Sequence, residues 1–245
     1  VFNIDKQISK LLDGLDSIVG HLVGLNSFAG LLVGNHIDFQ VNELVAYLKT
    51  VVKKPAHIIG WSDGGNIGLI AAIKYPKLVK SLVAIGANYT YDAGLSFNLD
   101  QVDASEEEYA KFVKMTGQDP ALLLEIKAKA FKVWRTEPKL KLSQLKKIKC
   151  PVLILASDDE PFKSEMTFKM YEAIPNGRLA VIPGASHNLV REKSKLMQTV
   201  IKDFYKSQDF PKLECQTEEQ ATSENTKKLL THQLRPLAQM VDLER

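Results

Sequence analysis

From Asp38 onward the chain alternates short, wholly apolar runs with longer stretches in which apolar residues recur at helical spacing. The runs are Ala56–Ile59, Leu82–Ile85, Val152–Leu155 and Leu179–Ile182. A strand that is apolar on every residue is buried on both faces, a condition met in parallel sheets covered by helices on either side. The intervening patterns supply those helices. Asp38 is placed to cap a helix whose Phe39, Val41, Leu44, Val45, Leu48 and Val52 fall mostly on one face, ending at Lys53-Lys54 before Pro55. A second helix is expected over Asn66–Lys74, closed by Tyr75-Pro76. Between the second and third apolar runs lies the insertion Asn88–Ile148, rich in charge and helix formers. Within it, Ser105-x-x-Glu108 reads as a capping box opening a helix that runs to Met115. Pro120–Thr136 reads as another helix, with Leu122, Ile126, Ala130 and Val133 on one stripe. The pattern predicts an α/β chain: a mostly parallel sheet with helices on both faces and a small helical excursion over one end.

The two ends of the chain fit this pattern less well. Ile18–Gly34 carries no formal charge apart from His21, and its length is at the lower edge for a membrane span. The Gly20/Gly24 and Gly30/Gly34 spacings resemble those of packed membrane helices. Asn26, Ser27, His21 and the glycines dilute its hydrophobicity, and the mixed charges Asp5, Asp13, Asp16, Lys6 and Lys10 before it are unlike the start of a secretory leader. A buried or loop-forming globular segment is expected there, without membrane association. Lys206–Arg245 is polar and weakly patterned apart from a short helical pattern over Leu229–Val241, and reads as a tail with no assigned function.

Composition narrows the function classes. At 245 residues, 45% hydrophobic and 25% charged, the chain has ample length to bury a core. Its 32 basic and 29 acidic side chains leave a formal net charge of +3, no electrostatic footprint for nucleic acid. Cys150 and Cys215, the two cysteines, have no metal-ligand spacing; free thiols in a reduced, cytoplasmic protein are expected, with no metal and no cofactor. The chain begins at Val1 rather than Met, which reads as a processed product or a fragment.

Candidate chemistry is concentrated in Gly60-Trp61-Ser62-Asp63-Gly64-Gly65, a G-x-S-x-G turn set between an apolar run and a helical pattern. Glycines on both sides let strand and helix approach closely enough to expose Ser62 at the carboxyl end of its strand. The same turn aims the Asp63 amide, at a helix start, toward an anion forming beside Ser62. The Asp63 carboxylate either complements that helix dipole or pairs with a cationic amine, and Trp61 walls the site. A serine nucleophile needs a histidine base. Of the five histidines, His187 in Pro183-Gly184-Ala185-Ser186-His187-Asn188 follows an apolar run at its carboxyl end; His57 sits at the wrong end of its own strand, and His21, His36 and His232 have no such context. The acid that orients the base is expected in Ala156-Ser157-Asp158-Asp159-Glu160-Pro161, after the third run.

These segments, with Tyr75-Pro76, Val83-Ala84-Ile85-Gly86-Ala87-Asn88 and Cys150-Pro151-Val152-Leu153-Ile154, resemble the α/β-hydrolase superfamily, in particular its biphenyl-hydrolase-like and valacyclovir-hydrolase-like serine hydrolases. The resemblance covers roughly Asp38 to Tyr205. It implies an α/β-hydrolase fold with a core over 38–88 and 149–205, a helical cap over 89–148, an atypical N-terminal segment over 1–37 and the tail over 206–245. The family's acid is usually an aspartate in a G-x-x-D loop. Laying Ser157 on the glycine puts Glu160 on the acid's position, and a one-residue shift puts Asp159 there; Glu160 is narrowly preferred. The family also has strands before the helix at Asp38, one ending in a His-Gly loop that supplies a second oxyanion donor. Residues 1–37 are too few for all of them and contain no His-Gly pair. The implied activity is hydrolysis of small carboxylic esters or amides by Ser62, His187 and Glu160 or Asp159. The alternative is a truncated or catalytically impaired protein of this fold serving as a binding module. A perhydrolase, thioesterase or C–C hydrolase reaction on the same fold is a third reading, while Ser62 in place of aspartate disfavours dehalogenase and epoxide-hydrolase chemistry.

Overall fold

The computed structural model describes residues 22–25, 36–96 and 98–206. Its elements in chain order are β1 (Leu22–Leu25), α1 (Ile37–Tyr47, continued by a π-type turn over Leu48–Val52), β2 (Ala56–Trp61), α2 (Asp63–Lys74) and β3 (Val79–Ile85). The insertion follows with α3 (Glu106–Thr116), α4 (Ala121–Trp134) and α5 (Leu142–Leu145). The chain then forms β4 (Val152–Asp159), α6 (Ser164–Ala173), β5 (Gly177–Ser186), α7 (Leu189–Glu192) and α8 (Ser194–Lys206).

The described strands form one sheet in the order β1-β2-β3-β4-β5, each pair parallel. Period-two alternation along the apolar runs divides the interior in two. Ile58, Leu82, Ala84, Val152 and Ile154 face a cluster completed by α1, α2, α5 and α6. Ile59, Val83, Ile85, Leu153 and Leu155 face the opposite way, against Leu189, Val190, Ile201, Phe204 and Tyr205 of α7 and α8. This is the α/β architecture with helices on both faces that the apolar runs predict.

Four differences from the sequence reading have identifiable causes. Asp38 does not cap α1: the N-cap is His36, which makes no side-chain cap bond, and Ile37 N–H donates to Glu137 Oε2 at 2.6 Å. A carboxylate from the insertion thus takes the first amide of α1, and Asp38 instead meets Lys74 at 2.7 Å. The buried stripe of α1 starts at Ile37, with Phe39 left 39% exposed. On α4 the stripe runs through Leu123 rather than Leu122, with Ile126, Ala130 and Val133 as expected. The fourth difference concerns Ile18–Gly34, of which residues 22–25 are described. They form β1, pairing in parallel with β2 from Leu22 opposite His57 to Leu25 opposite Gly60. A strand therefore does precede α1, beside the strand that leads to Ser62. The expected tail beyond Lys206 and residues 1–21 and 26–35 of the N-terminal segment lie outside the described residues.

The insertion realises its capping box, with Ser105 N–H donating to Glu108 Oε2 at 2.9 Å and Glu108 N–H donating back to Ser105 Oγ at 3.2 Å. Its two ends are joined by an antiparallel bridge, Thr90 with Lys139. No helix among the described residues is long and apolar enough to cross a membrane.

Candidate active site

The turn between β2 and α2 is built by steric necessity. A Cβ on Gly60 would lie 2.2 Å from the Gly64 carbonyl oxygen, and one on Gly65 would lie 2.9 Å from Ala87 Cβ, so strand and helix meet at backbone contact distance. Ser62 between them has φ 56° and ψ −124°, a conformation that a non-glycine residue holds only when its surroundings impose it. Its N–H donates to Ile85 O at 2.8 Å, fixing the turn to β3.

His187 is carried on the loop after β5, and that loop is gripped from several sides. Asp158 accepts from Gly184 N–H at 2.9 Å and Ala185 N–H at 3.2 Å. Glu192 accepts from the Ser186 amide and hydroxyl, both at 2.7 Å. The Trp61 indole N–H donates to His187 O at 2.9 Å, with the two rings 5.7 Å apart. The Gly184 and Ala185 amides hold the Asp158 carboxyl below its ordinary pKa, and the Ser186 hydroxyl and amide do the same for Glu192.

Glu160 follows directly on β4. One carboxylate oxygen, Oε1, accepts from the Ser157 amide and hydroxyl, each at 2.9 Å. The other, Oε2, lies 2.5 Å from His187 Nδ1. An ionised carboxylate only accepts, so Nδ1 carries the proton and Nε2 is left to accept from the Ser62 hydroxyl, 3.0 Å away. The Glu160 side chain is 3% exposed and that of His187 25%, so the carboxylate is screened from water while the histidine keeps some exposure. Of the expected residues, the structure brings Ser62, His187 and Glu160 into one hydrogen-bonded line. Asp159 is exposed at the end of β4, opposite Ser186 in the strand register.

Asp63 is the first residue of α2 and is 5% exposed. Its Oδ2 accepts from the Trp134 indole N–H at 2.7 Å, and Oδ1 accepts from Asn66 Nδ2 at 3.3 Å. Burial raises its pKa, and the bonds from Trp134 and Asn66 oppose that rise. Protein donors thus face the carboxyl group for which the sequence left open a helix-dipole role or a cationic amine.

Several residues of this site were not singled out in the sequence. Gly86, with φ +54°, leaves the space that the imidazole fills: a Cβ there would lie 2.9 Å from His187 Nδ1 and Cε1 and 3.3 Å from Glu160 Oε1. Its signals in the sequence were its position directly after the apolar run of β3 and its place in the segment Val83–Asn88 that carries the family resemblance. Asn66 and Asn88 exchange bonds beside Asp63, with Asn88 N–H donating to Asn66 Oδ1 at 3.0 Å and Asn66 Nδ2 donating to Asn88 Oδ1 at 3.1 Å. Trp134 belongs to the insertion, and nothing in its local pattern pointed at Asp63. Among the described residues, no group of three or more His, Cys, Asp or Glu is arranged to hold a metal ion.

Comparison with known proteins places this geometry in context. The model of the alpha/beta hydrolase fold family matches residues 34–116. Serine hydrolase BPHL of Mus musculus is 25% identical over 173 residues, 67% of this chain and 60% of that protein. Its Homo sapiens counterpart is 26% identical over 158 residues, 61% of this chain and 54% of that protein. The chain therefore spans less than two thirds of the length of either relative. The crystal structure of NosK from Streptomyces actuosus superposes with a TM-score of 0.58 at 22% identity, covering 71% of this chain and 78% of that one.

Proposed function

This chain has the α/β-hydrolase fold, and from that premise we propose that it is a serine hydrolase of small carboxylic esters or amides. The observation that carries the reading is the line from Ser62 Oγ to His187 Nε2 at 3.0 Å and from His187 Nδ1 to Glu160 Oε2 at 2.5 Å, mounted on a serine with φ 56°. In this reading Ser62 Oγ attacks the substrate carbonyl as its proton passes to His187 Nε2. The imidazolium then protonates the departing alcohol or amine, leaving Ser62 acylated. Water, deprotonated by the same nitrogen, releases the acid. Glu160 keeps Nδ1 protonated and steadies the positive charge. The Asp63 amide, at the N-terminus of α2, donates to the oxyanion, where the helix dipole also favours negative charge.

The insertion forms the cap, with its Trp134 reaching the residue beside the nucleophile. The pairing of β1 with β2 favours a working hydrolase over a silent binding module, because it supplies a strand on the far side of β2 ending level with Gly60.

A fluorophosphonate probe and a panel of p-nitrophenyl esters test the proposal on the full chain. The expected result is covalent labelling and ester turnover that Ser62→Ala lowers by about 10³-fold or more. Turnover unaffected by Ser62→Ala, or no labelling of the native protein, would sink the hydrolase reading and favour the binding module.

A further inference from the structure

We propose that Trp134 is a positioning residue, latching the helical insertion to the nucleophile turn through Asp63 and so setting how the insertion lies over Ser62; the idea rests on the hydrolase reading above. Four observations carry it. Asp63 is next to Ser62 in sequence, so whatever grips its side chain grips the turn that holds the nucleophile. Asp63 is 5% exposed, and water does little to satisfy its carboxyl group. Of its two side-chain donors among the described residues, the Trp134 indole at 2.7 Å is much the closer, while Asn66, at 3.3 Å, is also committed to Asn88. Finally, the apolar residues around Trp134 form a cluster of their own: Ala130 and Val133 pack with Phe131 and Trp134, separate from both clusters on the sheet.

Leu123, Ile126, Ala130 and Val133 bury one stripe of α4, and to that packing the Trp134 indole adds a directional bond aimed at the nucleophile turn. The bridge between Thr90 and Lys139, the bond from Leu140 N–H to Tyr89 O at 2.9 Å and the contact of Glu137 with α1 fix the returning end of the insertion, Arg135 pairs with Asp100, and the latch adds the bond from α4 to the nucleophile turn. The bond from the Trp134 indole N–H to Asp63 Oδ2 lies in a dry site, and removing the donor leaves that oxygen short of a partner. Its loss should release the C-terminal end of α4 without disturbing the sheet.

The test compares the full chain with Trp134→Phe, which keeps an aromatic ring and removes the N–H. Hydrogen exchange over Ala121–Trp134 is expected to accelerate about tenfold in the variant, with exchange in β2 and β3 unchanged. With p-nitrophenyl octanoate, KM should rise about tenfold at a kcat within about twofold of the parent, and with p-nitrophenyl acetate the KM change should be smaller. Asp63→Ala should reproduce the exchange change, and adding Trp134→Phe to it should add nothing. Asp63→Ala also carries the comparison if Trp134→Phe does not fold. Unchanged exchange over α4, fully additive effects of the two substitutions, or an equal kcat loss on both esters would each overturn the latch. If the native chain neither labels nor turns over ester, the hydrolase reading falls, and the exchange experiment still decides whether Trp134 holds α4 to Asp63.

Discussion

Gly86 shows how tightly the residues around Ser62, His187 and Glu160 are fitted. Its backbone, at φ +54°, is costly for any residue with a Cβ, and that Cβ would press on the imidazole at 2.9 Å. Gly86→Ala is therefore expected to destabilise the fold by about 1–3 kcal/mol. It should also push His187 off the line between Glu160 and Ser62, lowering kcat by about 10²-fold. Thermal melting and steady-state kinetics on the same ester check both parts. Asp158 and Glu192 act on the same histidine from outside: each spends its carboxylate on backbone amides of the loop that carries His187. The three neighbouring carboxylates of the β4 loop thus divide their work. Asp158 holds the histidine loop, Asp159 faces solvent, and Glu160 turns inward against the imidazole.

At the scale of elements, α1 takes its first capping bond from a residue 100 positions away. Glu137 accepts from Ile37 N–H at 2.6 Å and pairs with His36 Nδ1 at 2.8 Å, joining the returning end of the insertion to a helix of the core. Glu137→Ala leaves a helix amide without its acceptor and should cost about 1 kcal/mol, read as a fall of a few degrees in Tm. Exchange at the first turn of α1 should rise with it, and a variant that melts with the parent and exchanges no faster there would refute the cap. The irregularity in the β4–β5 pairing between Ser157 and Asp159 lies at the ends from which Glu160 and His187 depart. Such irregularities re-aim a strand end, which suits the turn of Glu160 toward its partner.

Across the whole molecule, the sheet separates two interiors, and the one under α7 and α8 contains a buried titratable residue remote from Ser62 along β2. His57 is 4% exposed, its Nδ1 is 2.7 Å from Ser81 Oγ, and its ring meets Tyr205 edge-on at 5.2 Å. Its Nε2 has no hydrogen-bond partner among the described residues. Burial, assisted by the charge of Lys80, lowers its pKa below 6.5. Below that value the unfolded chain binds a proton that the folded chain resists. Stability is therefore full above pH 6.5 and falls as pH drops toward the lowered value in the fold. His57→Asn keeps an acceptor for Ser81 and removes the titration, so the part of the acid-side fall in Tm due to this group should vanish in the variant. Equal slopes of Tm against pH in the two proteins below neutrality would show that His57 does not carry it.

What could be read from the chain alone is what depends on local pattern. The apolar runs specify strands buried on both faces, the glycines about Ser62 specify a close strand-to-helix turn, and the position of His187 after an apolar run puts it at the carboxyl end of a strand with Ser62. These follow from side-chain periodicity and backbone sterics, which neighbouring residues settle among themselves. Contacts between distant segments leave no such trace. Glu160 and Asp159 were separated only when the carboxylate could be seen to reach His187 Nδ1. The acceptor that caps α1 was Glu137 and not Asp38. The strand beside β2 came from a stretch that was expected to be a buried or loop-forming segment. The Trp134–Asp63 bond joins residues 71 positions apart that carry no mark of each other. The tertiary structure decides such pairings because a hydrogen bond needs its partners within about 3 Å and well aligned, and over tens of residues only the packed fold sets that geometry.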